Sequence, residues 1–169
     1  MRNLIRLCGD QARMVHDDPW LLLGEGTNEP TAPLILPLAE WQAQQAPEVL
    51  AGERSSPHGV LLQPDDDPET LRPWLNVLPL IAIGFPSFSD GRGYSQAYLL
   101  RARLGWRGEL RAVGDVLRDQ LAHMRQCGFD AFAVRQDKSV KDALKGLAGM
   151  SVLYGRSVIE PRPLFRRRG

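Results

Sequence analysis

The sequence predicts an α/β fold built on a mostly parallel sheet of about five βα units. Apolar runs of strand length begin near residues 35, 59, 80, 109 and 131, and apolar residues recur at helical spacing between the later runs. That alternation is typical of βαβ units joined by right-handed crossovers. Five units are too few to close an eight-stranded barrel. We therefore expect an open twisted sheet, or a partial barrel that a second chain completes.

The segment before the first of these strands is predicted to be a short hairpin. Residues 3–7 and 11–16 are two runs of strand length, and they flank a turn at Cys8-Gly9-Asp10. Residues 34–38 then form the first strand of the βα series, followed by a short helix over 40–50 that Pro47 interrupts.

Helix signals follow the later strands. Asp67-Pro68 is typical of an N-cap with proline at the first helical position, and Pro73 is expected to kink that helix. Residues 80–85 are continuously apolar, as in a parallel strand covered on both faces. The pattern predicts a helix over 94–104 that ends at Gly105. After the strand at 109–113, Asp115 is expected to cap a helix, and Ser139 to cap the last one.

Length and composition narrow the class of protein. At 169 residues we expect a single domain over residues 1–154, followed by a flexible, arginine-rich tail over 155–169. The net charge of +1 does not favour non-specific nucleic-acid binding. The two cysteines are isolated, so a disulfide framework is not expected. No apolar run reaches the roughly 18 residues of a membrane span, so we expect a cytoplasmic protein.

Residues 90–95 form a turn after a predicted strand, and this turn has the composition of an anion-binding site. Gly91 and Gly93 bracket Arg92, so the backbone can take positive φ and present its N–H groups. A helix follows at once, and helix N-termini attract anions. Arg92 would add a bidentate clamp for phosphate or sulfate. The competing interpretation is a tight loop capped by Asp90 or Ser95.

Arg111 lies in the middle of a predicted strand. Alternation places Leu110 and Ala112 on one face, and Arg111 with its neighbours Glu109 and Val113 on the other. A buried arginine must be paired or line a cavity. It either contacts a ligand or forms an internal salt bridge, for which Asp115 and Asp90 are candidates; an exposed edge strand is the remaining alternative.

The turn after that strand holds the best candidate for acid/base chemistry. Gly114 and Asp115 follow the strand directly, with Arg118 and Asp119 on the next helical turn. Asp115 is the predicted catalytic residue, although helix capping also explains an aspartate at this position. Arg118 and Asp119 are either part of the same site or solvated helix charges. The residues predicted to bind a ligand are Asp90, Gly91, Arg92, Gly93, Tyr94, Ser95, Arg111, Gly114, Arg118 and Asp119.

No metal or cofactor is predicted. The three histidines are scattered, and Asp65-Asp66-Asp67 is more typical of a solvated turn than of a cation site. No Walker loop occurs, and Gln96 replaces the third glycine of a dinucleotide fingerprint.

The run from Phe85 to Arg135 resembles the signature of a bacterial family of unknown function. Asp17-Asp18-Pro19-Trp20, residues 36–41 and Ser151 to Tyr154 fit the same pattern. Members of that family are often encoded beside assimilatory sulfite reductase and the adenylyl-sulfate reductases, and some carry an oxidoreductase label. The resemblance implies a pathway and no catalytic residues. Its core positions here are Asp90, Gly91, Arg92, Gly93, Tyr94, Ser95, Arg111, Gly114, Asp115 and Asp119.

Two functions follow as hypotheses. The first is an accessory protein of sulfate or sulfite reduction that binds a reductase (sulfite reductase or adenylyl-sulfate reductase) or a small sulfur oxyanion. The second is a small enzyme that acts on a phosphorylated or sulfated metabolite, with Asp115 as acid/base and Arg92 and Arg111 holding the oxyanion. An incomplete set of βα units is compatible with a homodimer, whereas nucleic acid is not an expected partner.

Overall fold

The computed structural model of the protein describes residues 1–23, 32–147 and 149–153. Nine strands lie in this part of the chain: β1 (Leu4–Cys8), β2 (Gln11–Val15), β3 (Leu21–Leu22), β4 (Leu34–Pro37), β5 (Gly59–Leu62), β6 (Leu80–Phe85), β7 (Glu109–Gly114), β8 (Ala131–Ala133) and β9 (Ser151–Leu153). They form one sheet in the order β3-β4-β5-β6-β7-β8-β1-β2-β9. The sheet curls into a half-barrel.

The centre of the sheet is parallel. All six residues of β6 are buried, and this strand pairs in parallel with β5 and β7, with Leu80 opposite Glu109 and Phe85 opposite Gly114. β7 pairs in parallel with β8 in turn. Because the carboxyl ends of parallel strands meet at one edge, the turns after β5, β6, β7 and β8 lie along the same edge of the sheet.

The expectation of a mostly parallel sheet of about five units was wrong: the sheet is mixed, and it has more strands. The predicted hairpin is confirmed as β1 and β2, joined through Gly9 at φ +64°. It is not an appendage, however, because β1 adds to the sheet antiparallel to β8. The short strands β3 and β9 extend the two sides of the sheet. A run of apolar residues predicts a strand but not its direction relative to a partner, which is decided by long-range pairing.

Five α-helices are present in the described residues: α1 (Leu38–Gln44), α2 (Pro47–Leu50), α3 (Arg92–Tyr98), α4 (Leu121–Gln126) and α5 (Val140–Leu144). The segment with the Asp67-Pro68 start forms a 3₁₀ helix over Pro68–Trp74, in which the Asp67 side chain accepts a hydrogen bond from the N–H of Glu69. The predicted cap is therefore confirmed. The i→i+3 pattern accommodates Pro73, which would clash in an α-helix interior.

The predicted helix over 94–104 begins earlier and changes pitch. It starts at Arg92 as α3 and continues as a π-helical turn over Leu99–Arg103. Ser139 caps α5 as expected, since its hydroxyl accepts from the N–H of Asp142. The expectation that Asp115 caps the next helix was wrong. A 3₁₀ turn over Arg118–Gln120 precedes α4 instead, and the Asp115 side chain binds elsewhere.

The two faces of the sheet carry separate apolar clusters. The large one packs the helices against side chains that include Ile81, Ile83, Leu110 and Ala112. The second face is covered by a small cluster of Ile35, Leu80, Ala82 and Val113, against which Met1, Trp20 and Leu22 pack. Residues of the first 22 positions therefore cover part of the second face. No helix within the described ranges is long and apolar enough to cross a membrane.

Candidate functional site

We define the rim as the residues that follow the carboxyl ends of four parallel strands: 63–66 after β5, 86–92 after β6, 115–117 after β7 and 134–137 after β8. Because β6 and β7 are parallel, the turn after Phe85 and the turn at 114–115 lie at the same edge, and the N–H of Phe88 donates to the Asp115 carboxylate at 2.8 Å. The sequence prediction that these two turns lie on one edge is therefore confirmed.

The two glycines of the Gly91-Arg92-Gly93 turn do not have the left-handed backbone angles that the sequence predicts. Gly91 has φ −89° and ψ −4°, and Gly93 lies inside α3, so the expectation of positive φ at these glycines was wrong. A Cβ added at Gly91 would meet no described atom within 4 Å. A Cβ at Gly93 would lie 2.6 Å from Cζ of Phe85, so glycine is required there for the close approach of α3 to β6.

The Arg92 guanidinium is bound to carboxylates. Its Nε and Nη2 donate to the two oxygens of Asp90 at 3.1 and 2.8 Å, and its Nη1 donates to Asp65 at 2.7 Å. Asp90 also accepts from the N–H of Arg92, which is the first residue of α3. These hydrogen bonds lower the pKa of Asp90. Arg92 thus links the turn after β6 to the turn after β5.

Asp115 connects the turn after β7 with the turns after β6 and β8 through its carboxylate. One carboxylate oxygen accepts from Nη1 of Arg135 at 2.7 Å, and the other accepts the N–H of Phe88. The hydrogen bond from Arg135 is the main cause that lowers the pKa of Asp115. Gly114, at φ +97°, makes this turn possible, because a Cβ there would lie 2.5 Å from the carbonyl oxygen of Phe85.

Phe88 is the apolar feature of the rim. Its side chain is 57% exposed. Its backbone is held on both sides, because its N–H donates to Asp115 and its carbonyl accepts from Nε2 of Gln120 at 2.7 Å. The rim therefore presents an exposed aromatic ring on a fixed backbone.

The remaining residues of the 90–95 segment support α3. The Tyr94 ring packs on Phe85 and His123, with centroid distances of 5.2 and 4.4 Å. Burial raises the pKa of the Tyr94 phenol. Ser95 is exposed, and the next residue, Gln96, is buried and donates to the carbonyls of Gln63 and Asp66.

Arg111 is not part of the rim. Its side chain is fully buried on the second face, where Nη1 and Nη2 donate to the two oxygens of Asp18 at 2.8 and 2.9 Å. Its Nε donates to Glu109 at 2.7 Å. Of the three alternatives for Arg111, the internal salt bridge is confirmed, but the candidates Asp115 and Asp90 were the wrong partners.

Asp18 is the centre of this buried cluster of charges. It also accepts from Nη2 of Arg6 at 3.2 Å and from the N–H of Trp20. Burial alone would raise the pKa of Asp18, but the hydrogen bond and charge of Arg111, together with the charges of the N-terminus and Arg6, outweigh burial and lower it. Asp18 is thus a carboxylate that fixes the segment before β3 to the second face of the sheet.

Arg118 and Asp119 lie beside a different cavity. Both line a space of about 300 Å³ next to α5, together with Lys138, Ser139 and Asp142. Arg118 is paired with Asp142 at 3.4 Å, and both side chains are about half exposed. The structure therefore separates these two residues from Arg111, and it divides the predicted charge concentration among three places.

Four residues that matter in this arrangement were not predicted as site residues: Asp18, Phe88, Gln120 and Arg135. Arg135 follows β8 closely, so the rule that placed Asp115 on the rim would have found it. Asp18 lies 93 residues from Arg111 in sequence, and no spacing rule predicts such a pair. Among the described residues, no group of three or more His, Cys, Asp or Glu side chains is placed to hold a metal ion.

The comparisons with known proteins agree with the sequence resemblance. Residues 59–165 match the model of a family described as bacterial protein of unknown function (DUF934). The chain belongs to this family. The family match covers β5 to β9 and therefore includes the whole rim, whereas β1 to β4 and Asp18 precede it. Neither the curated proteins nor the solved structures give a match.

Proposed function

We propose that the protein is an accessory component of assimilatory sulfate or sulfite reduction, and that it acts by docking on a reductase through the rim. Sulfite reductase or an adenylyl-sulfate reductase is the proposed partner. The observation that carries this proposal is the exposed Phe88 ring on a backbone that Asp115 and Gln120 hold in place.

The pairing of the rim charges favours binding to a protein over catalysis. Arg92 already binds Asp90 and Asp65, and Asp115 already binds Arg135. A general acid or base must change its protonation state near the working pH. Because Arg135 lowers the pKa of Asp115, this carboxyl is poorly matched to that task at neutral pH. The enzyme hypothesis is therefore the weaker of the two.

Phe88 has the properties of an interface anchor. Aromatic residues are enriched where protein interfaces lose contact with water, and a few of them carry most of the binding energy. A backbone that is already ordered reduces the entropy lost on association. Both hydrogen bonds to the Phe88 backbone supply that order before any partner arrives.

The pathway and the compartment in this proposal come from the sequence. The family resemblance supports sulfur assimilation, and two cysteines that are isolated in the sequence, Cys8 and Cys127, fit a reducing cytoplasm. A second copy of this chain is the alternative occupant of the Phe88 surface.

The test is co-purification of the tagged protein with sulfite reductase and adenylyl-sulfate reductase, each identified by immunoblot. Phe88→Ala is expected to lower recovery of the partner at least about tenfold, as for loss of an aromatic hot spot. Tyr98→Ala is the matched control, because Tyr98 is equally exposed at 57% and follows the rim on α3. It should leave recovery unchanged.

Two results would contradict the proposal. One is equal recovery of the reductase by the Phe88→Ala and wild-type proteins. The other is a deletion strain that grows normally with sulfate as its sole sulfur source. Sedimentation of the purified protein separates the alternative occupant, because Phe88→Ala would then dissociate a homodimer.

A further inference from the structure

The rim carries more carboxylates than cations. Its residues include five aspartates and two arginines, which give it a net charge of −3. The segments that continue from it along the chain, 67–72, 93–98, 118–120 and 138–142, contain four acidic and four basic residues, so they leave this surplus unchanged. The rim is therefore an acidic patch on a chain whose net charge is +1.

The surplus comes mainly from two bridges in which one arginine binds two aspartates: Asp90–Arg92–Asp65 and Asp115–Arg135–Asp137. All three guanidinium nitrogens of each arginine donate to carboxylate oxygens. An arginine that is engaged in this way offers little to an anionic partner, whereas a carboxylate oxygen accepts more than one hydrogen bond. Each bridge therefore presents a negative charge and free acceptor positions.

The two bridges flank the Phe88 turn along the edge of the sheet. Asp90 lies two residues after Phe88, and Asp115 accepts the Phe88 N–H. The other carboxylate of each bridge is exposed, by 92% for Asp65 and by 59% for Asp137. Hydrogen bonds from its bridging arginine lower the pKa of Asp137 to about 2, so this carboxylate is charged at physiological pH. The exposed aromatic ring is thus placed between two negatively charged groups.

We propose that the rim recognises a basic surface on its partner, where lysine and arginine side chains surround an apolar pocket for the Phe88 ring. This inference rests on the proposed docking function and specifies the chemistry of the partner's surface. Complementary charges steer association and exclude partners of like charge. A second copy docked rim to rim would bring together two surfaces with a net charge of −3, so charge disfavours that alternative occupant.

The experiment measures association and dissociation rates of the full chain on immobilised sulfite reductase and, separately, on adenylyl-sulfate reductase. Raising the salt concentration from about 50 to about 300 mM should slow association of the wild-type protein at least about tenfold. Asp65→Asn combined with Asp137→Asn should slow association at least about threefold at low salt, with little change in dissociation. Phe88→Ala should instead speed dissociation, because it removes the apolar anchor.

The matched control removes two negative charges from the opposite edge of the sheet, by Asp10→Asn combined with Glu53→Gln. Both residues are exposed. Asp10 lies in the turn after β1, which runs antiparallel to β8, and Glu53 precedes β5. This variant should associate as the wild type does. Thermal unfolding of both double variants checks that each is folded, and the salt dependence of the wild-type protein requires no variant.

The outcomes separate this inference from the docking proposal. Binding through Phe88 with an association rate that salt leaves unchanged, or that the Asp65 and Asp137 variant leaves unchanged, would overturn the basic surface and leave docking intact. A faster association of that variant would also overturn it, because the partner's surface would then be acidic. If neither reductase binds the wild-type protein, the docking proposal fails and this inference fails with it. A homodimer that Phe88→Ala dissociates, detected by sedimentation, would contradict it as well, because two acidic rims would then meet.

Discussion

Arginine–aspartate pairs occur both on the second face and on the rim, and their surroundings give them different roles. Arg111 and Asp18 are 0% and 1% exposed, and their bidentate contact holds two distant parts of the chain together. Arg92 is 56% exposed and pairs with its near neighbour Asp90. Burial strengthens the attraction between charges but adds a desolvation cost, whereas water screens the exposed pair. The buried Arg111–Asp18 pair therefore stabilises the contact between distant parts of the chain, whereas the exposed Arg92–Asp90 pair orders a surface turn.

The largest expected effect comes from breaking the buried pair. Asp18→Asn is expected to lower the free energy of unfolding by about 3–5 kcal/mol, because it leaves the buried Arg111 charge with Glu109 as its remaining ion-pair partner. Urea unfolding at pH 7 measures this loss.

A double variant tests whether the loss comes from an unpaired buried charge. Asp18→Leu combined with Arg111→Met removes both charges and leaves Arg6 and Glu109 to pair at 3.3 Å. It should be more stable than Asp18→Asn, since apolar replacements of a buried pair are often neutral. A loss below about 1 kcal/mol for Asp18→Asn is the range of exposed salt bridges and would contradict a stronger contribution from the buried pair.

An intermediate effect is expected from the packing beneath the rim. Gly93→Ala should destabilise the protein by about 1–3 kcal/mol, because the new methyl group would overlap the Phe85 ring. Gly91→Ala, two residues away and facing open space, should stay within about 0.5 kcal/mol of wild type. Chemical denaturation of both variants checks this. Equal stabilities would mean that α3 can move away from β6 at little cost.

The smallest effect is expected from the charge of Asp115 on the rim. Asp115→Asn keeps an oxygen for the Phe88 N–H and removes the ion pair with Arg135. Because Arg135 lowers the pKa of the folded-state Asp115, the stabilisation is present above the unfolded pKa of about 3.9 and is lost as pH falls through the folded value.

The stabilities of the Asp115→Asn and wild-type proteins should therefore differ slightly at pH 7 and converge in acid. Urea unfolding across this pH range measures the difference. A gap that stays constant down to the folded pKa and below it would show that the charge of Asp115 contributes nothing to the variant's effect.

Much of the local structure could be predicted from the sequence. The apolar run at Leu80–Phe85, the turn at Gly9 and the caps at Asp67 and Ser139 depend on neighbours a few residues away. Local preference and pattern decide such features. The same reasoning put the 90–95 and 114–115 turns on one edge, because the direction of the central strands followed from the βα alternation.

The contacts that spacing did not predict share a physical cause. The guanidinium of Arg92, a predicted anion ligand, binds its neighbour Asp90 and also Asp65, 27 residues earlier. Asp115 was expected to cap a helix, but Arg135 and Phe88 take its oxygens. A side chain with several possible partners binds whichever the fold brings near, and spacing along the chain does not reveal which one that is.

The sequence by itself determined the alternation of strands and helices, the family and the face of β7 on which Arg111 lies, because each depends on residue type and short spacing. Only the tertiary structure decided that the hairpin joins the sheet antiparallel to β8 and that Asp18 neutralises Arg111. It also decided that the Phe88 ring is exposed on the rim. These outcomes require segments up to 93 residues apart to meet, and the free energy of such contacts depends on burial that exists only in the folded chain.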